Sequence, residues 1–260
     1  MELIDTHCHL TFEQLAGDID AVIERSLAAG VVGWITVGTD PQHNRKAVAL
    51  TGGFENMYAA VGIHPHDAKD VTAETVAELK DLARTEKVVA VGETGLDFHY
   101  DFSPRQDQRR VFGAQLEIAR ELNLPVVIHC REAFEETIDI LEQSISLKGR
   151  LKGVVFHCFS GSAQQARIVL DHGFYISLTG VVTFKNAEKA RQTAKIVPLE
   201  RLMLETDCPY MSPAPMRNQK INEPALMVHT ARFLAELKEM EPVDFARAVT
   251  ATSKSFFGLP

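Results

Sequence analysis

Two histidines separated by one residue, His7 and His9 in the stretch DTHCHL, are the first residues of this chain whose types and spacing could do chemistry. In an extended strand, residues i and i+2 point to the same side, about 6.5 Å apart along the strand. Both imidazoles could then bind one metal ion. The alternative is a pair of buried structural histidines, and the choice depends on what the rest of the chain brings beside them.

Other metal-binding residue types recur at the ends of apolar runs. Glu93 ends the run KVVAVGE, Asp207 ends LMLETD, and the remaining cases are His64, His129 and His157. Scattered histidines would have no reason to collect at equivalent points of separate units. The pattern therefore favours a metal centre over structural histidines.

The elements that must position these residues follow from the apolar runs themselves. Continuous runs such as PVVIHC and GVVFHC are typical of strands buried on both faces, hence of a parallel sheet. Segments with helical spacing lie between them, for example Phe112, Leu116 and Ala119. Eight strands are predicted, over residues 3–9, 32–39, 57–64, 88–93, 125–130, 153–158, 174–179 and 202–207.

Eight strand and helix units without a linker or low-complexity tract predict an α/β fold, a (β/α)₈ TIM barrel in a single domain spanning residues 1–260. Barrel active sites lie at the carboxyl ends of the strands, where the candidate residues fall. Gly173 is expected to end one helix. Asn222, in the stretch NEP, is expected to cap the last helix, predicted from about Pro224 to Leu237.

Composition narrows the class of protein. Hydrophobic residues make up 45% of the chain and charged residues 24%, which disfavours disorder. The net charge is −8 and no long run of Lys or Arg marks a polyanion-binding surface. An acidic start and the lack of an apolar run near ~18 residues favour a cytoplasmic protein without a membrane span. No protein partner is indicated.

The four cysteines each directly follow a candidate ligand, which raises the question of a thiolate site. Neighbours along a strand point to opposite faces, so ligands that point into the barrel mouth leave the cysteines facing the helices. Free cysteine behaves there as a small hydrophobic residue. We therefore expect reduced, packed thiols: Cys8, Cys130, Cys158 and Cys208.

Six convergent ligands are too many for one catalytic ion that must keep an open position, but they suit two ions about 3.5–4 Å apart that share a carboxylate and a water. Imidazoles and carboxylates without a thiolate suit Zn²⁺ or Mn²⁺, with Mg²⁺ also possible. Two such ions bring four positive charges against two negative ones from Glu93 and Asp207. The site would thus attract an anion within an acidic protein. The six predicted ligands are His7, His9, Glu93, His129, His157 and Asp207.

In these motifs the chain resembles the TatD-type metal-dependent deoxyribonucleases of the amidohydrolase-like superfamily. The resemblance implies that His7, His9 and Asp207 bind one metal, that the second ion has histidine ligands of its own, and that Glu93 bridges the two. It also implies hydrolysis of DNA phosphodiester bonds, often from the 3′ end, by a hydroxide bound to the dinuclear centre. The motifs are DTHCHL (5–10), VGIHPHD (61–67), GETGLDFH (92–99), PVVIHCRE (125–132), VVFHCFSGS (154–162), LETDCPY (204–210) and NEP (222–224).

The residues assigned to the second ion are His129 and His157. The family pattern has an arginine immediately before NEP, whereas this chain has Ile221, with Arg217 and Lys220 nearby. Either neighbour could replace it in contacting phosphate.

Further residues are expected to assist. Asp207 would also orient or deprotonate the attacking water. His64 and Arg131 are candidate phosphate contacts, although Pro65 could hold His64 at the barrel mouth for structural reasons alone. Glu205 lies one layer deeper and is a candidate for substrate binding or for support of His7 or His9, with a purely structural bond as the alternative. His66 could contact the substrate or simply be exposed to solvent.

Two rival functions are kept open. A dinuclear amidohydrolase that acts on a cyclic amide, a lactone or a phosphotriester is one, although such enzymes often bridge their metals with a modified lysine at strand four, where this chain has Glu93. A catalytically silent metal-binding interaction protein is the other, and it predicts missing ligands. None is missing.

Overall fold

The eight apolar runs form eight parallel strands of one sheet in the computed structural model, which describes residues 1–260. The strands are adjacent in chain order, from β1 to β8, as expected when each strand returns through a helix. A strand lies at each of the eight predicted positions, although six of them end one to three residues earlier than predicted and two end later. Their bounds are β1 Leu3–Cys8, β2 Val31–Val37, β3 Met57–Val61, β4 Val88–Asp97, β5 Val126–Arg131, β6 Val154–Phe156, β7 Tyr175–Leu178 and β8 Leu202–Leu204.

Helices follow the strands and cover them. The predicted apolar faces are buried, including Phe112 and Leu116 on one helix and Leu141 on the next. Short 3₁₀ helices occupy Pro65–Asp70, Gly180–Thr183, Leu199–Arg201 and Pro224–Leu226. The α-helices are α1 Glu13–Ala16, α2 Ile19–Ala29, α3 Pro41–Leu50, α4 Ala73–Leu82, α5 Arg105–Glu121, α6 Phe134–Lys148, α7 Ala163–Asp171, α8 Glu188–Ile196, α9 Met227–Leu237 and α10 Pro242–Phe257.

The prediction that the helix ending at Leu237 is the last one was wrong. That helix is α9, and α10 follows it. Pro242 suggests a helix stop, but it stands in the first turn of α10, where a missing N–H costs nothing and the fixed φ suits the helix. Helix α7 ends as predicted, with Gly173 at φ 76° just beyond it.

The chain divides into two compact units, and the first comprises residues 1–36 and 158–260. Within it, the ends of β1 and β8 are joined: the Asp207 N–H donates to the His7 carbonyl at 2.9 Å, and the His9 N–H donates to the Cys208 carbonyl at 2.9 Å. All six residues of β1 are buried. Sequential order together with β8 beside β1 is the strand arrangement of a (β/α)₈ barrel.

The second unit comprises residues 37–157 and carries the longest strand, β4. The prediction that this strand ends at Glu93 was wrong, because β4 continues to Asp97. Gly95 explains how it continues: its φ is 140°, and a Cβ there would lie 2.0 Å from the His129 carbonyl oxygen on β5. Only glycine allows this close approach. Glu93 and Asp97, four residues apart on one strand, consequently share a face.

The assignment of residues 1–260 to a single domain stays a prediction. Among the helices of the chain, none has the combination of length and apolar character that crossing a bilayer requires.

Candidate metal centre

The first unit brings together three of the predicted ligands, His7, His9 and Asp207. The two Nε2 atoms lie 3.3 Å apart. Asp207 Oδ1 lies 3.3 Å from His9 Nε2 and 3.7 Å from His7 Nε2. Both histidine residues are buried. We call this group the first cluster.

The spacing of the first cluster fits a divalent ion. Zinc–nitrogen bonds of 2.0–2.1 Å in a tetrahedral arrangement place neighbouring ligand atoms about 3.3 Å apart. Two imidazole nitrogens and one carboxylate oxygen also form a donor set that zinc and manganese accept. The first cluster can therefore hold such an ion, as the sequence predicts.

A buried hydrogen-bond network positions Asp207, whose backbone has a φ of 52°. The preceding Thr206 donates its N–H (3.0 Å) and its hydroxyl (2.5 Å) to the Asp5 carboxylate. The Asn222 side chain donates to the carbonyls of Thr206 (3.1 Å) and Tyr210 (2.6 Å). Burial raises the pKa of Asp5 to about 7, against the hydrogen bonds it accepts from Thr206 and His7. The turn that carries Asp207 is thereby fixed from both sides.

The second unit gathers imidazoles around one carboxylate oxygen, Glu93 Oε1. His129 Nδ1 and His157 Nε2 each lie 2.7 Å from it, and His64 Nε2 lies at 3.5 Å. Burial alone would raise the pKa of the Glu93 carboxyl, but the neighbouring His157 and the hydrogen bond with His129 hold it well below its usual range. Glu93 is therefore an anion in a buried site. We call Glu93, His129, His157 and His64 the second cluster.

Asp97 holds the far side of the His129 ring. Its Oδ2 lies 3.0 Å from His129 Nε2 and 3.1 Å from His66 Nε2. Its Oδ1 accepts the backbone N–H groups of His99 (3.0 Å) and Tyr100 (2.8 Å). Burial lowers the pKa of His129, but the carboxylates of Asp97 and Glu93 raise it more, so it lies above its usual value.

The position of His129 between two carboxylates also fits a metal. A ring that donates Nε2–H to Asp97 directs Nδ1 at Glu93 Oε1, and two lone pairs 2.7 Å apart require a proton or a cation between them. Carboxylate–histidine–metal arrangements of this kind orient the ring and raise its basicity. The second cluster can therefore hold a divalent ion.

His64 differs from the other imidazoles of this cluster. Its Nδ1 accepts the His66 backbone N–H at 3.1 Å. Burial and the neighbouring His129 hold the pKa of His64 well below its usual range, so the ring is neutral. A neutral imidazole whose Nδ1 accepts carries its proton on Nε2. His64 is thus a hydrogen-bond donor towards the interior of the cluster, and its backbone before Pro65 is extended, with φ −62° and ψ 144°.

The two remaining predicted substrate contacts lie in different surroundings. Glu205 is buried, and its carboxylate accepts the Cys158 N–H at 2.5 Å and the Ser177 hydroxyl at 2.6 Å. Arg131 is exposed at the end of β5, with its guanidinium 4.7 Å from the centre of the Tyr100 ring. Contact of either residue with substrate stays a prediction.

The NEP stretch is used in an unpredicted way. Asn222 does not cap a helix with its side chain, because its amide binds the turn after β8. Glu223 forms a two-pronged ion pair with Arg25, with the Nη2 to Oε2 distance at 2.7 Å. Arg217 donates to the Ser212 carbonyl at 3.2 Å and lies 3.7 Å from the centre of the Phe184 ring. The contact of this loop with phosphate stays a prediction.

None of the four cysteines contributes to either cluster. Cys8 and Cys208 are fully buried, and the Cys8 thiol donates to the Ile35 carbonyl at 3.3 Å. Burial raises the pKa of the Cys130 thiol to about 11, so it is protonated. These positions agree with the expected packing role.

Two functional residues escaped the sequence reasoning. Asp5 and Asp97 lie inside the quoted motifs DTHCHL and GETGLDFH, but neither ends an apolar run, which was the criterion for selection. Both lie an even number of residues from a candidate ligand, on the same face of the extended chain: Asp5 is two residues from His7, and Asp97 is four residues from Glu93. Extending that period inward from each ligand would have found them.

Comparison with known proteins agrees with this arrangement of elements and donors. Residues 4–258 match the model of the family described as TatD related DNase. The chain belongs to this family. An uncharacterised metal-dependent hydrolase of Bacillus subtilis, YabD, is 43% identical over 255 residues, which are 98% of each chain. The 3′-5′ ssDNA/RNA exonuclease TatD of Escherichia coli K12 is 35% identical over 261 residues, 99% of each chain.

Solved structures of family members confirm the fold. The TatD homologue YJJV of Escherichia coli K12 superposes with a TM-score of 0.92 at 31% identity, covering 99% of this chain and 98% of that one. A TatD family hydrolase of Entamoeba histolytica gives a TM-score of 0.88 at 24% identity, covering 99% of this chain and 98% of that one. The predicted (β/α)₈ barrel and the predicted family are therefore both confirmed.

Proposed function

We propose that this TatD-family chain is a divalent-metal exonuclease that removes nucleotides from the 3′ end of single-stranded DNA. The observation that carries the proposal is the pair of clusters, each with imidazole and carboxylate donors at metal-binding spacing. The exonuclease name of the Escherichia coli relative supports the substrate. Because the chain has a net charge of −8, attraction for the DNA backbone must be local, at the ions and the few nearby cations.

One ion would be held by His7, His9 and Asp207 of the first cluster, and the other by Glu93, His129 and His157 of the second cluster. Divalent ions at such a site supply activation of water and neutralisation of the charge that develops on the phosphoryl oxygens. Thiolates are absent from both clusters, so Zn²⁺, Mn²⁺ and Mg²⁺ are all suitable.

Three side chains act on the attacking water and on the phosphate groups. Asp207, whose side chain is 13% exposed, orients the attacking water and accepts its proton. His64 Nε2–H donates to a phosphoryl oxygen, a role that its fixed proton position suits. Arg131 lies at the exposed end of β5. Its planar guanidinium binds a phosphate of the DNA strand next to the cut bond.

The test is cleavage of labelled oligonucleotides by protein stripped with EDTA and reloaded with Mg²⁺, Mn²⁺ or Zn²⁺. Single-stranded DNA with a 5′ label should shorten one nucleotide at a time, whereas a 3′ label should appear at once as a mononucleotide. Stripped protein should be inactive. Single-stranded RNA and duplex DNA are compared in parallel to define the preference.

Glu93→Gln should lower the rate by about 10³-fold or more, because it removes the charge at the centre of the second cluster. Glu135→Gln, an exposed carboxylate on α6, is the matched control and should retain the wild-type rate. Release of internal fragments or of the 5′ nucleotide first would refute the exonuclease assignment. Inertness towards nucleic acid together with turnover of a lactone or cyclic amide would favour the amidohydrolase alternative.

A further inference from the structure

Two neighbouring aromatic side chains on the loop after β4 are exposed, Tyr100 at 48% and Phe102 at 58%. Their rings are stacked, 5.3 Å apart with an interplanar angle of 29°. The Arg131 guanidinium lies 4.7 Å from the centre of the Tyr100 ring. We call Tyr100, Phe102 and Arg131 the aromatic platform. Core packing does not account for it, since large rings that serve the core are buried.

The aromatic platform is held rigidly. The Ser103 hydroxyl donates to the His66 carbonyl at 2.6 Å and accepts the Lys69 N–H at 3.0 Å. The Gln108 amide donates to the Ser103 carbonyl at 2.9 Å. The His66 ring packs against Phe102, with the ring centres 4.8 Å apart. A loop fixed in this way presents its rings without an ordering cost when a ligand binds.

A single carboxylate connects the aromatic platform to the second cluster. Asp97 accepts the Tyr100 N–H through Oδ1 and faces His129 Nε2 through Oδ2. The ring centres of Tyr100 and His66 are 5.5 Å apart, and those of His66 and His129 are 6.3 Å apart. These two steps correspond to about two to four stacked nucleotides, which rise about 3.4 Å each.

An exposed cation, Arg131, stands at the aromatic platform. The acidic side chains beside it are engaged: Glu132 pairs with His99 at 2.7 Å, and Asp101 pairs with Arg105 at 3.3 Å. Arg131 forms no ion pair with a carboxylate, so its guanidinium keeps its charge for a ligand. A stacking surface with an adjoining cation is the arrangement by which proteins bind single-stranded nucleic acid without reading its sequence.

We propose that the aromatic platform is a base-stacking subsite for the single-stranded nucleic acid, and that Arg131 binds a phosphate beside the stacked base. The inference rests on the proposed exonuclease function. It adds a requirement for the substrate: an unpaired base two to four nucleotides from the bond that is cut. Duplex DNA, whose bases are stacked on each other, does not offer such a base unless it melts.

The first test compares kinetic constants on a single-stranded oligonucleotide. Tyr100→Ala and Phe102→Ala should each raise KM about 5- to 100-fold, with kcat changed much less, because stacking contributes to binding rather than to the chemical step. Tyr100→Phe should retain the wild-type KM, whereas Tyr100→Leu should not. The matched control is Tyr175→Ala, which removes another tyrosine that lies under an arginine, Arg201 at 4.4 Å, and should leave KM within about twofold.

The second test moves a single abasic nucleotide through the substrate. Wild-type protein should show a raised KM at one position two to four nucleotides from the cut bond. Tyr100→Ala should show no added penalty at that position. An even response to the abasic site in the wild type, or unchanged KM in both alanine variants, would overturn the stacking subsite.

Wild-type hydrolysis of methyl p-nitrophenyl phosphate separates the two proposals. The ester contains a diester bond but no base or strand, so its turnover reports the metal-dependent chemistry alone. If the ester is hydrolysed but KM for the oligonucleotide does not depend on the position of the abasic nucleotide, the stacking subsite is refuted and the proposed function is retained. If no phosphodiester is hydrolysed, the proposed function is refuted. Sedimentation of the wild type is also measured, because a dimer abolished by Phe102→Ala would instead assign the aromatic platform to self-association and overturn the inference.

Discussion

The two clusters hold their candidate metal ligands in position in different ways. The first cluster consists of three ligands, one on β1, one directly after it and one on the turn after β8, and its geometry is set by hydrogen bonds to the backbone of that turn. The second cluster lies on β4 and β5 and just beyond β3 and β6, and its geometry is set by charge, with His129 between two carboxylates. The contrast teaches that backbone anchoring fixes where a ligand stands, while charged partners fix which of its atoms carry protons.

The electrostatics follow the same division. In the second cluster, neighbouring groups move the pKa of Glu93 down and that of His129 up, against burial in both cases. The shifts keep the carboxylate negative and the imidazole basic. Both properties favour binding of a cation. In the first cluster, the buried carboxyl of Asp5 accepts hydrogen bonds from the backbone of the ligand His7 and from Thr206, which precedes the ligand Asp207.

The largest effect is expected from His64→Ala, in the second cluster. The change removes a donor aimed into the second cluster without removing a lone pair directed at the metal. We expect kcat on single-stranded DNA to fall about 10²- to 10³-fold, with the metal content unchanged. His64→Gln, which can still donate a hydrogen bond, should recover part of the rate. Loss of one metal ion in His64→Ala would show that His64 is a ligand instead.

A smaller effect is expected from Asp97→Asn, which keeps the shape of the side chain and removes its charge from His129. Metal affinity of the second cluster should weaken about 10- to 100-fold, while affinity of the first cluster stays at the wild-type value. Titration of stripped protein with Mn²⁺ measures both. Asp81→Asn, an exposed carboxylate with a side chain 75% accessible, is the control. Equal weakening at both clusters would mean that Asp97 acts through general stability.

The smallest effect is expected from Asn222→Ala, which breaks the backbone anchoring of the first cluster. The carbonyls of Thr206 and Tyr210 lose their donor, which costs about 1–3 kcal/mol in the free energy of unfolding. Chemical denaturation measures this loss, with the exposed Asn56→Ala as control. Metal affinity should weaken at the first cluster and not at the second. Wild-type stability in Asn222→Ala would contradict the anchoring role.

The strands and the strand-end ligand positions were predictable because both are local. Apolar runs of four to eight residues bounded by turns define parallel strands, and the ligand-type residues stand at their ends. His7, His9, Glu93 and His129 were found in this way. The family motifs added the grouping of the ligands: the structure brings His7, His9 and Asp207 together, and His129 and His157 beside Glu93, while metal binding by these residues stays a prediction.

Features that depend on contacts distant in sequence were missed. The extension of β4 to Asp97 requires the approach of β5 at Gly95, which no property of the β4 run reveals. Asn222 matches a helix cap by type, but its amide instead binds a turn more than ten residues earlier in the chain. The exposure of Tyr100 and Phe102 also lies beyond a sequence pattern, because aromatic residues are ordinarily assigned to the core.

The proposed function depends most directly on the number of ions that the protein binds and where it binds them. Elemental analysis by mass spectrometry after equilibrium dialysis against Zn²⁺ or Mn²⁺ measures this number. We predict about two ions per wild-type chain, and about one in each of two paired variants, His7→Ala with His9→Ala and His129→Ala with His157→Ala. A wild-type chain that binds one ion, or a paired variant that still binds two, would contradict the account.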